Sequence, residues 1–293
     1  ELLIIRESLA LKIKKILLSQ FNVGVQKLLK QENDADKTGT ESNIVIGNYN
    51  FSPGIIQTLR IWVENPNGGI DLNSANNDIS EDVSASLCGT YTLGGTNPDF
   101  ASFSELSTIL NNAGLTCPTT INVRDGVYDD QLIISNIPGN SFVNTITIQG
   151  ESGDSSLAQI YWAYNNFDNN VISFSNIKGI TIKDLHLRHN VNSNSSNVTD
   201  CDSVLFTNCI LESFVLQFNS STGVSLKNNY FKNNYGYPSV VFNDNADNNE
   251  QLSINITNNV IGDPTSYNSG YIQISKNYSN SFKVLIDART TRS

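Results

Sequence analysis

The stretch "GVSLKNNYFKNN", Gly223 to Asn234, decides the fold. Its apolar residues do not recur at the three- and four-residue spacing of a helix. Val224 and Leu226 alternate, the chain corners on Asn228-Asn229, and an inward position resumes at Phe231. Three other stretches share the template: "GITIKDLHLRHN" from Gly179, "SVLFTNCILESF" from Ser203 and "SINITNNVIGD" from Ser253. The first inward position holds Ile180, Val204, Val224 and Ile254, and the second Ile182, Phe206, Leu226 and Ile256. A polar corner follows at Asp184, Asn208, Asn228 and Asn258, then a third inward position at Leu187, Leu211, Phe231 and Ile261. Between these stretches a second short strand recurs, with the pairs Ile172/Phe174, Leu216/Phe218, Val240/Phe242 and Ile272/Ile274. The corners lie 24, 20 and 30 residues apart. Constant inward positions at irregular spacing are the mark of a solenoid with variable turns.

A strand this short cannot bury its apolar face alone. Stacked on a similar strand about 4.8 Å away, it hydrogen-bonds above and below. Its inward side chains then join a continuous column. Asparagine tolerates the left-handed backbone of a sharp corner, and stacked amides can bond from rung to rung. The expected fold is therefore all-β, a parallel β-helix, right-handed by the general preference of crossover connections.

Composition agrees. The chain of 293 residues has 16% charged residues and a net charge of -10. The acidic balance argues against a nucleic-acid partner. No apolar run is long enough to span a bilayer, so no transmembrane segment is expected. The opening "ELLIIRESLALKIKKILLSQF" lacks the uninterrupted apolar run and small-residue cleavage site of a signal peptide. The absence of methionine makes a processed product or a fragment of a longer chain the expectation.

Three regions are expected. Residues 1–43 read as a basic amphipathic helical segment and linker, with helical spacing at Leu9, Ile13, Ile16 and Leu17 and again at Val25, Leu28 and Leu29. Residues 44–86 hold short alternating strands, too few for a complete sandwich. They look like the last strands of a truncated immunoglobulin-like domain. Residues 87–293 form the β-helix, C-terminally incomplete. It is entered through a helix in "ASFSELSTILNNAG", with Ser102 or Ser104 as N-cap, Gly114 as C-cap, and Leu106, Ile109 and Leu110 on one face. Cys88 and Cys117 bracket this helix, and a disulfide between them is expected in an oxidising compartment. Cys201 and Cys209 are poor partners, and Cys209 is expected to be buried.

Several stretches carry a resemblance. "GTYTLGGTNPDFASFSEL", "INVRDGVYDDQLIISNIPG" and "NTITIQGESGD" resemble the entry into secreted pectin-lyase-like β-helices of Bacteroidetes cell-surface proteins, and the coils from Val171 to Ile274 resemble the repeats of that superfamily. The resemblance covers roughly residues 87–293. It implies a secreted or cell-surface location, export by the type IX route and membership of a longer multidomain chain. "DGVYDDQ" also resembles the start of pectin methylesterases, where the tyrosine and the acidic residue fix the first coil. The later Asp, Gln and Arg set of those enzymes is absent here, as is the polygalacturonase pattern of "NTD" and "GHG".

Lyase chemistry in this superfamily implies a Lys or Arg base beside acidic ligands for Ca²⁺. The candidates are Lys183, His186, Arg188 and Lys227, with Asp184 and His189 adjacent. By register Arg188, Glu212 and Lys232 stack on one exterior ladder, read as a cross-rung row of ion pairs. His186 falls in the exterior row of Ile210, Tyr230 and Val260, read as a surface filler. "NDNADNNE" offers Asp244 and Asp247 as Ca²⁺ candidates, with a solvated turn as the plainer reading. The exterior aromatics Tyr161, Trp162, Tyr164, Tyr230, Tyr235 and Tyr237 form a possible sugar-stacking strip, with Tyr230, Tyr235 and Tyr237 as the carbohydrate-binding candidates. The leading expectation is a non-catalytic module binding a polysaccharide or cell-surface glycan, with adhesion as its role. A polysaccharide lyase is the alternative, and a passive spacer the third.

Overall fold

The computed structural model describes residues 23–25, 47–49, 56–62, 78–163, 170–190, 195–232, 237–244, 253–262, 271–276 and 283–287. The chain divides into two compact units, Glu1–Ala85 and Ser86–Ser293. In the first, Val23–Val25 pairs antiparallel with Gly47–Tyr49, and Gln57–Trp62 with Asp78–Val83. Val25 thus lies on a strand, not on the expected helix. Two β-branched residues flanking Gly24 suit an extended segment better than a helical turn. The rest of the expected helical segment lies outside the described residues.

Among its described residues, the second unit holds three all-parallel sheets and one helix. The first sheet stacks eight strands, from Leu87–Leu93 and Leu115–Val123 through Ile146–Gly150, Lys178–Lys183, Asp202–Thr207, Val224–Lys227 and Ser253–Thr257 to Lys283–Asp287. The second stacks six: Gly126–Asp129, Ala158–Trp162, His186–His189, Ile210–Glu212, Tyr230–Lys232 and Val260–Ile261. The third stacks six: Leu132–Ser135, Ile172–Ser175, Ser195–Thr199, Val215–Asn219, Pro238–Asp244 and Tyr271–Lys276. From Leu115 onward the chain visits first, second and third sheet in strict rotation. This parallel stacking is consistent with a parallel β-helix.

The inward positions read from sequence line up across rungs. Ile180, Val204, Val224 and Ile254 share one column, and Ile182, Phe206, Leu226 and Ile256 the next; all are buried. Phe174, Phe206, Phe218 and Phe242 form a chain of ring contacts at 6.5, 6.2 and 5.0 Å. Each such side chain contributes about 1.5–3 kcal/mol by leaving water.

The corners adopt the left-handed backbone expected of them: φ is 54° at Asp184, 55° at Asn208 and Asn228, and 54° at Asn258. The Asn208 amide donates to Asp184 Oδ1 at 3.1 Å, and Asn228 to Asn208 Oδ1 at 3.2 Å. A second, buried ladder runs one residue further on. Asn229 Oδ1 accepts the Cys209 N–H at 3.0 Å and its amide donates to the Phe206 carbonyl at 2.9 Å; Asn259 repeats both contacts one rung later, with Asn229 N–H and the Leu226 carbonyl. Backbone groups left over at the corner are thus satisfied inside the core.

The helix, Phe103–Ala113, begins at N-cap Ser102 and ends at Gly114 with φ 72°. It covers the terminal strand of the third sheet, Leu132–Ser135. Ser107 Oγ accepts from Ile133 N–H at 3.1 Å; Asn111 accepts from Ser135 N–H at 2.8 Å and donates to the Ile133 carbonyl at 3.2 Å. Helix side chains thus stand where a further strand would pair. Asp130 receives the Ser104 N–H at 2.8 Å and its hydroxyl, and Tyr128 packs edge-on against Phe103 at 5.4 Å. These two residues of "DGVYDDQ" hold the first coil to the helix. Cys88 and Cys117 form a disulfide between the first two strands of the first sheet. Cys201 and Cys209 are free and buried.

Candidate functional site

The second sheet carries His186 and Arg188, two of the four lyase candidates, on its outer face. One row there is Tyr161, Arg188, Glu212 and Lys232 in register. The next is Gln159, His186, Ile210, Tyr230 and Val260. The contacts differ from a simple row of ion pairs. Arg188 lies over the Tyr161 ring, 5.3 Å from its centroid. Glu212 is met diagonally by His186 Nε2 at 2.9 Å and, from its own row, by Lys232 Nζ at 3.5 Å. The His186 and Glu212 side chains are each only 10% exposed, whereas Lys232 is 37% exposed. His186 is therefore not a surface filler but half of a buried polar pair. Packing between rungs shields it, because its neighbours Gln159 and Ile210 stand about 4.8 Å to either side.

Lys183 and Lys227 stand elsewhere, in one outward row of the first sheet with Thr207 between them. Two rungs part them by about 10 Å. Lys183 Nζ lies 3.3 Å from Asp184 Oδ2, on the corner that separates it from His186. The four lyase candidates thus divide between two sheets. Among the described residues, no three His, Cys, Asp or Glu side chains converge as ligands for a metal ion. Asp247 and Tyr235 lie outside the described residues. Asp244 ends a strand of the third sheet, opposite Lys276.

The third sheet has a different outer face. One row is Ile133, Ser173, Asn197, Gln217, Val241 and Gln273. The other is Ser135, Ser175, Thr199, Asn219, Asn243 and, by register, Ser275. Neither row contains a charged residue. Asn243 donates to Asn219 Oδ1 at 2.9 Å, Gln217 to Ser195 Oγ at 2.8 Å and Asn197 to Asn170 Oδ1 at 2.9 Å. Where the sixth strand begins, Tyr271 pairs with Pro238, the residue after Tyr237. These two tyrosines are 50% and 46% exposed and sit one rung apart. Tyr230 is half-buried.

Tyr271 and the two polar rows are absent from the sequence reading. Their signal was present: once Leu216/Phe218 and Val240/Phe242 are assigned inward, the intervening Gln217, Asn219, Val241 and Asn243 must face outward.

No protein-family model, no curated protein and no solved structure matches this chain.

Proposed function

We propose that residues 87–293 wind into one right-handed parallel β-helix, and that it serves as a non-catalytic module of an exported surface protein, binding a polysaccharide or cell-surface glycan. The observation that carries this is the pair Tyr237 and Tyr271, exposed on adjacent rungs beside two uncharged amide and hydroxyl rows. Exposing two rings on a rigid strand end is costly unless they meet a partner, and rings with nearby amides suit the faces and hydroxyls of sugars. The Cys88–Cys117 disulfide supports a secreted or surface location, because such bonds persist in oxidising compartments. The immunoglobulin-like reading of residues 44–86 belongs to the same proposal.

The test is retention of the protein in gels containing neutral and acidic polysaccharides, with and without Ca²⁺, while following new reducing ends and unsaturated products. Retention on one polysaccharide, lost in Tyr237→Ala and Tyr271→Ala at unchanged melting temperature, is expected. Turnover abolished by Lys183→Ala or His186→Ala would replace this reading with a lyase. Neither retention nor turnover would leave a passive spacer.

A further inference from the structure

Resting on the carbohydrate-binding proposal, we infer that the ligand is an uncharged, extended glycan lying along the stacking direction on the outer face of the third sheet. Charge is unevenly distributed over the three sheets. The second sheet carries Asp129, Arg188, Glu212 and Lys232 in its strands, and the first carries Lys178, Lys183, Asp202, Lys227, Lys283 and Asp287. The six strands of the third hold only Asp244 and Lys276, register partners at the strand ends. In a chain of net charge -10, six consecutive rungs without a charge in either outer row form a distinct surface.

An acidic polysaccharide would need cations to offset the desolvation of its carboxylates. This face supplies none between its ends. A neutral glycan needs neither, and the rows offer it what hydroxyls require. Each Asn or Gln amide has two donors and a carbonyl acceptor. The bonds Asn243 to Asn219, Gln217 to Ser195 and Asn197 to Asn170 each use one donor and fix the side chain, leaving valences toward solvent. Side chains already fixed lose little entropy on binding. Tyr271 continues the outer row of Gln273 by alternation, so its ring and the polar rows share one face.

Geometry sets the length. Six strands about 4.8 Å apart span ~24 Å, and the groups repeat at that interval. Affinity then rises with oligosaccharide length until the chain covers this span, and levels off beyond it.

The experiment uses the whole chain in affinity gels with three neutral polysaccharides (a β-glucan, a mannan and a xylan) and two acidic ones (polygalacturonate and alginate), each at low and high NaCl. The expected result is retention on a neutral polysaccharide that changes less than about twofold with salt, since no charges are screened. Gln217→Lys and Asn219→Lys, with melting temperatures near that of the parent, should each weaken it about tenfold, whereas Arg188→Ala and Thr147→Lys on the other sheets should not. Retention only on acidic polysaccharides, salt-sensitive and lost in Arg188→Ala, would keep the carbohydrate-binding proposal and overturn this one. Neutral binding untouched by Gln217→Lys and Asn219→Lys would overturn the assigned face. Retention on none of the five overturns both.

Discussion

His186 Nε2 lies 2.9 Å from Glu212 Oε2, on the neighbouring strand and one row across, with both side chains almost wholly withdrawn from solvent. Lys232 reaches the same carboxylate oxygen from the next rung at 3.5 Å. Three rungs are thereby tied through one acceptor. Glu212→Ala leaves two donors facing each other without it, and an expected loss of about 3 kcal/mol follows, as for a buried pair with one member removed. Urea unfolding of Glu212→Ala, His186→Ala and the double variant measures it; additive effects within about 0.5 kcal/mol would mean the pair is not coupled.

Asn229 is the second test. Its side chain serves the Cys209 N–H and the Phe206 carbonyl, both inside the core. Asn229→Ala strands both groups, at about 1–3 kcal/mol each. Asn229→Leu keeps the branched shape, with somewhat more volume, and still loses both bonds. If thermal unfolding shows the leucine variant as stable as the parent, the ladder is not a source of stability.

The left-handed corner at Asn228 makes a sharper comparison. Its φ of 55° is open to glycine and costs a β-branched residue about 1–2 kcal/mol. Asn228→Gly should lose only the bond to Asn208, whereas Asn228→Val should lose that bond and acquire the strain. Equal midpoints for the two variants would count against the corner.

Burial pushes the Cys209 thiol up to about 12 and the Cys201 thiol up to about 11, from an ordinary 9.0. A raised folded-state value stabilises the protein fully below the ordinary one, and the contribution fades as pH rises through the folded value. Stability should therefore fall between about pH 9 and 12, and the fall should be shallower in Cys209→Ala. Both thiols should resist a thiol-specific reagent at neutral pH in the folded state. Rapid labelling there would contradict their burial.

Replacing Cys88 and Cys117 by serine removes their covalent link. Its 29-residue separation corresponds to about 3–4 kcal/mol on the chain-entropy model. In a stack whose rungs touch only their neighbours, that loss stays local. Hydrogen exchange in Cys88→Ser/Cys117→Ser should rise across 87–123 while 204–231 keeps its protection. Uniform loss of protection would mean the stack unfolds as one unit.

The inward columns were legible because strand alternation needs only i and i+2, which a single chain displays. The corners were legible because an Asn or Asp that breaks the alternation after two inward apolar residues has few other uses. The fate of His186 was not. Register put Arg188 beside Glu212, yet the contact went to His186, because the Tyr161 ring engages Arg188 from the preceding rung. Side-chain choices of this kind depend on neighbours more than twenty residues away. Tyr271 was passed over because it flanks the Ile272/Ile274 pair that defined the strand. Val25 failed for a local reason: three apolar residues at helical spacing outweighed the β-branched pair beside them.

Ser107 and Asn111 occupy the hydrogen-bonding positions along Leu132–Ser135 that another strand would take. That end of the third sheet is consequently closed to templating. Rungs can be laid down there in one direction only, from N-terminus to C-terminus, which is the order in which a ribosome releases them. A chain emerging gradually would find this edge of its seed already sealed against intermolecular growth, and each new strand of that sheet would have a single edge on which to add.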